Sequence, residues 1–145
     1  MNNFIGEYEH SVDGKNRVVL PSAIREKLDL NDRLVLTIGF DGCLTLYPSY
    51  EQFQSFVEQM AEKGPTADAR KLRRKLVGQA REVGIDKQGR LVLPAELKDE
   101  AGITNSVTVV GNFDSVDFWD PERWESYLED VNLEDAAEAL FDEET

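Results

Sequence analysis

One short phrase occurs twice in this chain. "DGKNRVVLP", Asp13 to Pro21, returns as "DKQGRLVLP", Asp86 to Pro94, at an offset of 73 residues. At that offset Asp13, Arg17, Val19, Leu20, Pro21, Phe40, Asp41 and Pro48 are identical to Asp86, Arg90, Val92, Leu93, Pro94, Phe113, Asp114 and Pro121, with no gap between the first pair and the last. Similar residues fill much of the remainder: Ile24 with Leu97, Arg25 with Lys98, Leu30 with Ile103, Leu36 with Val109. A duplication of this length in 145 residues leaves few architectures open. Each half is too short to bury enough surface to be stable alone. Two halves that complete one core remove the difficulty, and a pseudo-two-fold arrangement is the expectation, by analogy with symmetric dimers.

Both halves read as the same α+β unit. Val18-Val19-Leu20 and Leu91-Val92-Leu93 are β-prone apolar runs ended by Pro21 and Pro94. Proline suits the first turn of a helix, so short helices are expected over Ser22–Leu28 and Ala95–Ala101. Alternation follows: Leu34, Leu36, Ile38 and Phe40 in one half, Val107, Val109, Gly111 and Phe113 in the other. Asp41-Gly42 is a strong hairpin signal and Asp114-Ser115 a weaker one, with return strands over Leu44–Tyr47 and Val116–Trp119. A helix closes each unit. Ser49 with Gln52 fits a capping box before the stripe Phe53, Phe56, Val57, Met60. Asp120-Pro121 is a cap and first-turn proline before the stripe Trp124, Leu128, Val131. These aromatics read as packing residues rather than a base-stacking platform.

Gly64-Pro65 breaks the chain between the units, and a basic helix is expected over Thr66–Ala80. Ala69, Leu72, Leu76, Val77 and Ala80 line one side, with Arg70, Lys71, Arg73, Arg74 and Lys75 around it. The organisation is therefore a first unit over 1–63, a basic linker helix over 64–80, a second unit over 81–131 and an acidic tail over 132–145. Arg70, Arg73 and Arg74 are either solvated bases or contacts to phosphate or to another subunit.

The net charge of −13 argues at first against nucleic acid, but it is unevenly spread. Lys63 to Arg90 holds nine bases and three acids, whereas Asp114 to Thr145 holds thirteen acids and one base. A patch decides local binding where net charge sets solubility. The acidic end reads as a solvated helix face, or as a surface that repels DNA from the wrong side.

Other classes fall away. One cysteine, Cys43, and one histidine, His10, give neither a disulfide nor a metal cluster nor a catalytic dyad. There is no phosphate-cradling glycine loop, so no enzyme and no cofactor is expected. No apolar run reaches the roughly 20 residues that span a bilayer, and the start of the chain has no apolar signal core, which points to the cytosol.

The repeated phrase has its own chemistry. An aspartate that opens a tight turn accepts backbone N–H bonds within it. The residue before the arginine is Asn16 in one copy and Gly89 in the other, the two types most tolerant of positive φ. Asp13, Asn16, Asp86 and Gly89 are therefore assigned to shaping the turns. The turns expose Lys15 with Arg17 and Lys87 with Arg90, four bases on one pseudo-symmetric face. Lysine neutralises phosphate, and arginine forks onto guanine O6 and N7. The competing reading is an ion pair, Arg17 with Asp13 and Arg90 with Asp86, that holds the turn. Both can operate together, the aspartate orienting a base-reading arginine.

The two phrases resemble the Asp-x-x-Gly-Arg-hydrophobic-Pro signature of AbrB-type DNA-binding domains. Two such units joined by "RKLRRKLVGQA", with the second ending "GNFDSVDFWDPERW", closely resemble the MraZ family, from about Gly6 to about Asp130. The resemblance implies a pseudo-two-fold β-barrel with flanking helices, both halves supplied by one chain. It implies a nucleoid-associated bacterial regulator that assembles into rings. Such regulators bind double-stranded DNA at G-rich direct repeats upstream of the gene cluster for cell division and cell-wall synthesis, their own gene included. It carries DNA contact onto Lys15, Arg17, Lys87 and Arg90. This chain departs from the family at Asn16, where glycine is usual, and at Gln88, where lysine is favoured. An AbrB-type antitoxin-like protein and an oligomeric scaffold are the competing readings. The duplication speaks against the first, because such antitoxins carry one signature per chain.

Overall fold

The computed structural model describes residues 2–141; Met1 and 142–145, the end of the expected acidic tail, lie outside them. Both halves give the same succession of elements. The first runs β1 (Glu7–Ser11), β2 (Arg17–Val19), α1 (Ser22–Arg25), β3 (Leu34–Ile38), β4 (Leu44–Tyr47) and α2 (Tyr50–Ala61). The linker helix α3 (Ala67–Gly78) follows. The second half runs β5 (Arg81–Val83), β6 (Arg90–Val92), α4 (Ala95–Glu100), β7 (Ser106–Asn112), β8 (Ser115–Trp119) and α5 (Pro121–Glu129), and α6 (Leu133–Phe141) ends the described chain.

The strands form a mixed α/β fold on antiparallel sheet. Six lie in the order β1-β7-β8-β4-β3-β5, and β2 pairs with β6 in a separate ribbon. Exchanging β1 with β5, β3 with β7 and β4 with β8 returns the same order reversed, which is the expected pseudo-dyad. Each half lends a strand to the other: β1 pairs with β7, Tyr8 opposite Val109, and β5 pairs with β3, Val83 opposite Leu34. Two isolated bridges, Val12 to Val18 and Ile85 to Leu91, tie the ribbon to the two edges of the sheet.

A single core lies between ribbon and sheet. Val18, Leu20, Leu91 and Leu93 enter from the ribbon side and meet Leu36, Leu44, Leu46, Val109, Val116 and Phe118, with Ile24 and Leu97 from α1 and α4. All are at most 1% exposed, so each large side chain contributes the roughly 1.5–3 kcal/mol of full burial. The helices start where local chemistry puts them. Ser49, Thr66 and Asp120 cap α2, α3 and α5, accepting from the backbone N–H of Gln52, Ala69 and Arg123 at 3.1, 3.1 and 3.2 Å.

Several local expectations are corrected. β3 is buried along both faces, because α3 covers the side away from the core: Thr37 Oγ1, fully buried, donates to the Leu76 carbonyl at 2.5 Å. The alternation stops before Phe40, which leaves the strand in a short 3-10 turn and is 54% exposed. The second hairpin turns on Phe113 and Asp114, one residue earlier than expected, with Phe113 at φ 62°. The ungapped run of identities does not hold in space. Ile38 pairs with Leu44, whereas its counterpart Gly111 pairs with Val116, so the first hairpin is one residue longer. Beyond the turns the equivalence shifts by one. Pro48 precedes the cap Ser49 while Pro121 follows the cap Asp120. Of the α5 stripe only Trp124 is sheltered; Leu128 and Val131 are exposed.

Candidate nucleic-acid interface

The two repeated turns are built alike to within a tenth of an ångström. Asp13 Oδ1 accepts from the backbone N–H of Lys15 at 2.9 Å and of Arg17 at 2.8 Å, and Oδ2 accepts from Arg17 Nε at 2.7 Å. Asp86 Oδ1 accepts from Gln88 and Arg90 N–H, both at 2.9 Å, and Oδ2 from Arg90 Nε at 2.8 Å. The Arg17 N–H is the largest influence that holds the Asp13 carboxyl down at about 2, and the Arg90 N–H lowers Asp86 likewise. Both aspartates are thus charged and committed to the turn.

Asn16 and Gly89 occupy the left-handed position, at φ 61° and 78°. Each then serves the other half: the Asn16 carbonyl accepts from Leu93 N–H at 2.8 Å, and the Gly89 carbonyl from Leu20 N–H at 2.9 Å. Gly89 has a second constraint, since a Cβ there would collide with the Arg25 guanidinium. Arg25 Nη1 donates to the Leu20 carbonyl at 3.3 Å, which places a further base beside the second turn.

The pairing of β2 with β6 joins the turns into one surface. Arg17 faces Val92, Val18 faces Leu91 and Val19 faces Arg90. Alternation sends Val18 and Leu91 into the core and leaves Arg17, Val19, Arg90 and Val92 on the outer face. Val19 and Val92 are 43% and 50% exposed, unusual for strand valines beside a full core. The two arginines are two residues apart along the ribbon, about 7 Å at a rise of roughly 3.4 Å per residue. Each side chain is 28% exposed. Because the aspartate takes Nε, the Nη1–Nη2 end of each fork has no partner among the described residues. The ion pair and the outward fork therefore coexist. Lys15 and Lys87 stand exposed in the turns at the two ends of the ribbon.

The structure sets Arg70, Arg73 and Arg74 elsewhere. They lie exposed on α3, which packs on the sheet face opposite the core, whereas the ribbon covers the core side. Arg70 bonds the Pro65 carbonyl, and Lys75 pairs with Glu100 at 3.2 Å. Arg25 and the two exposed valines were not singled out from the sequence. The signals were present: Arg25 aligns with Lys98 at the repeat offset, and "RVV" alternates about an inward Val18.

Cys43 is buried, its thiol pushed up to about 12 mainly by desolvation. No group of metal-ligating side chains occurs among the described residues, and no described helix is long and apolar enough to cross a membrane.

Comparison with known proteins converges on one description. The family model described as "MraZ protein, putative antitoxin-like" matches twice, over residues 3–75 and 76–144. A "Transcriptional regulator MraZ" of Lachnoclostridium phytofermentans is 38% identical over 137 residues, 94% of each chain. The solution structure of a Pyrococcus horikoshii protein overlaps 82% of this chain and 97% of its own at 11% identity. Its TM-score of 0.36 is too low to bear on fold or function.

Proposed function

This chain belongs to the MraZ family, and from that premise we propose that it is a DNA-binding regulator of transcription that enters a duplex groove with the β2–β6 ribbon. The observation that carries the reading is the ribbon's outer face. Arg17 and Arg90, one from each half, are locked through Nε by their own aspartates and present free fork ends side by side. A two-stranded ribbon fits the major groove, where a forked arginine discriminates guanine by ~1–3 kcal/mol. Val19 and Val92 suit contact with thymine methyl groups. Lys15 and Lys87 take flanking phosphates, and Asp13, Asn16, Asp86 and Gly89 hold the turns. Gln88 supplies no charge, so Lys87 is the phosphate contact of the second turn.

The finer reading follows the resemblance. The targets are G-rich direct repeats ahead of the cell-division and cell-wall cluster, the chain's own gene included, and the outcome is repression on the nucleoid. The core is a pseudo-two-fold barrel; the Val12 and Ile85 bridges that link ribbon to sheet edges support this. The units over 1–63 and 81–131 read DNA as one body. The chain works as a ring-forming homo-oligomer, in which adjacent subunits each hold one repeat and gain by avidity. Support for assembly comes from α6, where Leu133, Leu140 and Phe141 are 78%, 75% and 74% exposed.

The test is binding to the protein's own upstream DNA with salt titrated. Expected are a preference for guanine boxes over scrambled DNA and a slope of about −0.9 per phosphate neutralised. Arg17→Ala with Arg90→Ala loses the preference while sedimentation and circular dichroism stay unchanged. Equal binding by that double variant sinks the reading and leaves a scaffold.

A further inference from the structure

The face of the sheet away from the ribbon carries a cavity of opposite charge. There the pseudo-dyad runs between β4 and β8, where Thr45 lies opposite Asp117, its own structural counterpart. An aromatic triad flanks each side. Tyr47 packs on Phe53 and Phe56, both at 5.4 Å between ring centroids. Trp119 packs on Trp124 at 5.2 Å and Tyr127 at 4.9 Å. The halves agree in this aromatic plan and differ in charge: the axis position is a hydroxyl in one and a carboxylate in the other.

On the second side Phe40, Trp119, Trp124 and Tyr127 wall a cavity of about 280 Å3, with Asp117 and Asp41 in its lining. Asp117 accepts one hydrogen bond, from Thr45 Oγ1 at 3.0 Å. Asp41 accepts one from the Tyr127 hydroxyl at 3.3 Å. Neither has a cationic partner among the described residues; nearby Arg123 donates to the carbonyls of Gly42 and Glu100. π faces beside a desolvated carboxylate, Asp117, with the exposed Asp41 at the rim, suit one class of ligand. A flat or compact organic cation gains from the ring quadrupoles and from charge-assisted hydrogen bonds together. The carboxylates repel an anion, and a neutral apolar group leaves them unsatisfied.

We propose that this cavity binds an alkylguanidinium, its plane on the Trp119–Trp124–Tyr127 faces and its N–H fork on Asp117 and Asp41. The site is independent of the DNA-reading surface. The cation has two sources with the same chemistry. One is a free small guanidine. The other is an arginine of a second copy, for which Arg73 and Arg74 on α3 are exposed and lack an ion pair among the described residues.

The chain supplies its own probe, because both of its tryptophans line the cavity. The experiment titrates low-millimolar ethylguanidinium into the full chain at pH 8, with sodium chloride holding ionic strength constant, and reads tryptophan emission. A saturable change is expected, weakened at least tenfold in Asp117→Asn, with the folded state of the variant checked by circular dichroism. Acidification to pH 5 weakens binding to wild type, because desolvation, opposed by the Thr45 hydrogen bond and helped by the Asp41 charge, raises the Asp117 carboxyl to about 6. Besides Asp41, the titratable groups beside it are Tyr47, Tyr127 and Cys43, which are shifted upward and stay neutral over that range. A dilution series without added ligand assigns the source. Emission that depends on protein concentration, and ceases to in Arg73→Ala with Arg74→Ala, identifies the second copy. Emission independent of concentration, with the titration still saturable, identifies a free cation. A linear or absent response to ethylguanidinium, or an equal response in Asp117→Asn, overturns the proposal.

Discussion

Replacing Asp117 by asparagine should make the protein more stable at neutral pH, and only there. The carboxyl is raised from 3.8 to about 6, first by desolvation. A carboxyl with a raised folded value binds more protons in the folded state than in the unfolded one. Stability is therefore fully present below pH 3.8 and is lost as pH rises through about 6. At 1.36 kcal/mol per pH unit this is about 3 kcal/mol lost by pH 8, an upper figure because the side chain is not fully enclosed. Asparagine keeps the oxygen that accepts from Thr45 and removes the charge. The variant should match wild type at pH 4 and exceed it by about 1–3 kcal/mol at pH 8, a Tm gain of roughly 3–10 °C for a chain of this size. Thermal unfolding followed by tryptophan emission at half-unit pH steps, at one protein concentration, gives the difference curve. Asp13 and Asp86 are lowered and titrate below this window, so they do not distort it. Ethylguanidinium at 100 times its Kd should return about 2.7 kcal/mol to wild type at pH 8. A difference curve flat from pH 4 to 8 would refute both the buried charge and its sign.

Gly89→Ala forces a side chain to φ 78° against Arg25 and should cost about 1–3 kcal/mol, measured by urea unfolding. Asn16→Gly relieves the same backbone position and should lie within about 1 kcal/mol of wild type by the same measurement. Lys15→Ala should weaken binding to all sequences and reduce the salt slope by about one, whereas Arg17→Ala should relax preference at one base at a cost of ~1–3 kcal/mol. Asp13 has a lowered folded value, so its support of the turn is present above about 4 and lost as pH falls through about 2. The protection of the Arg17 amide against exchange, relative to its intrinsic rate at each pH, should fall over that interval, and not that of Val18, whose inward position is set by the core. Deleting Asn132 to Thr145 should leave unfolding within ~0.5 kcal/mol, since every described residue of α6 is exposed, while sedimentation reports a smaller assembly.

The sequence carried the duplication, the turn chemistry and most elements, because each depends on neighbours in the chain. Asp13 with Asn16, Ser49 with Gln52 and Asp120 with Pro121 are local devices. What it did not carry is which partner each strand takes. Three-residue strands such as Arg17–Val19 do not encode register, and the choice of β6 over a strand of the same half is made by the common core. Phe40 and Phe113 continued the alternation on paper but fall in turns, where backbone geometry outranks the pattern. Asp117 was one of thirteen acids in a segment that reads as solvated surface. Its seclusion follows from lying opposite Thr45 between two aromatic stacks, a juxtaposition of residues 72 positions apart. The bases on α3 were visible, but only the packing of Leu76 over Thr37 shows that they lie on the other side from the ribbon.

The exchange of β1 and β5 between halves has a bearing on synthesis. While a ribosome adds the residues from Tyr47 to Trp119, roughly 4–15 s at usual elongation rates, the β3–β4 hairpin waits without β5 on one side and β8 on the other. Two nascent chains on one messenger hold out the same unfilled places to each other. Crossed closure offers the same strand pairings as self-closure, which is why swapped pairs are the characteristic failure of a connectivity of this kind.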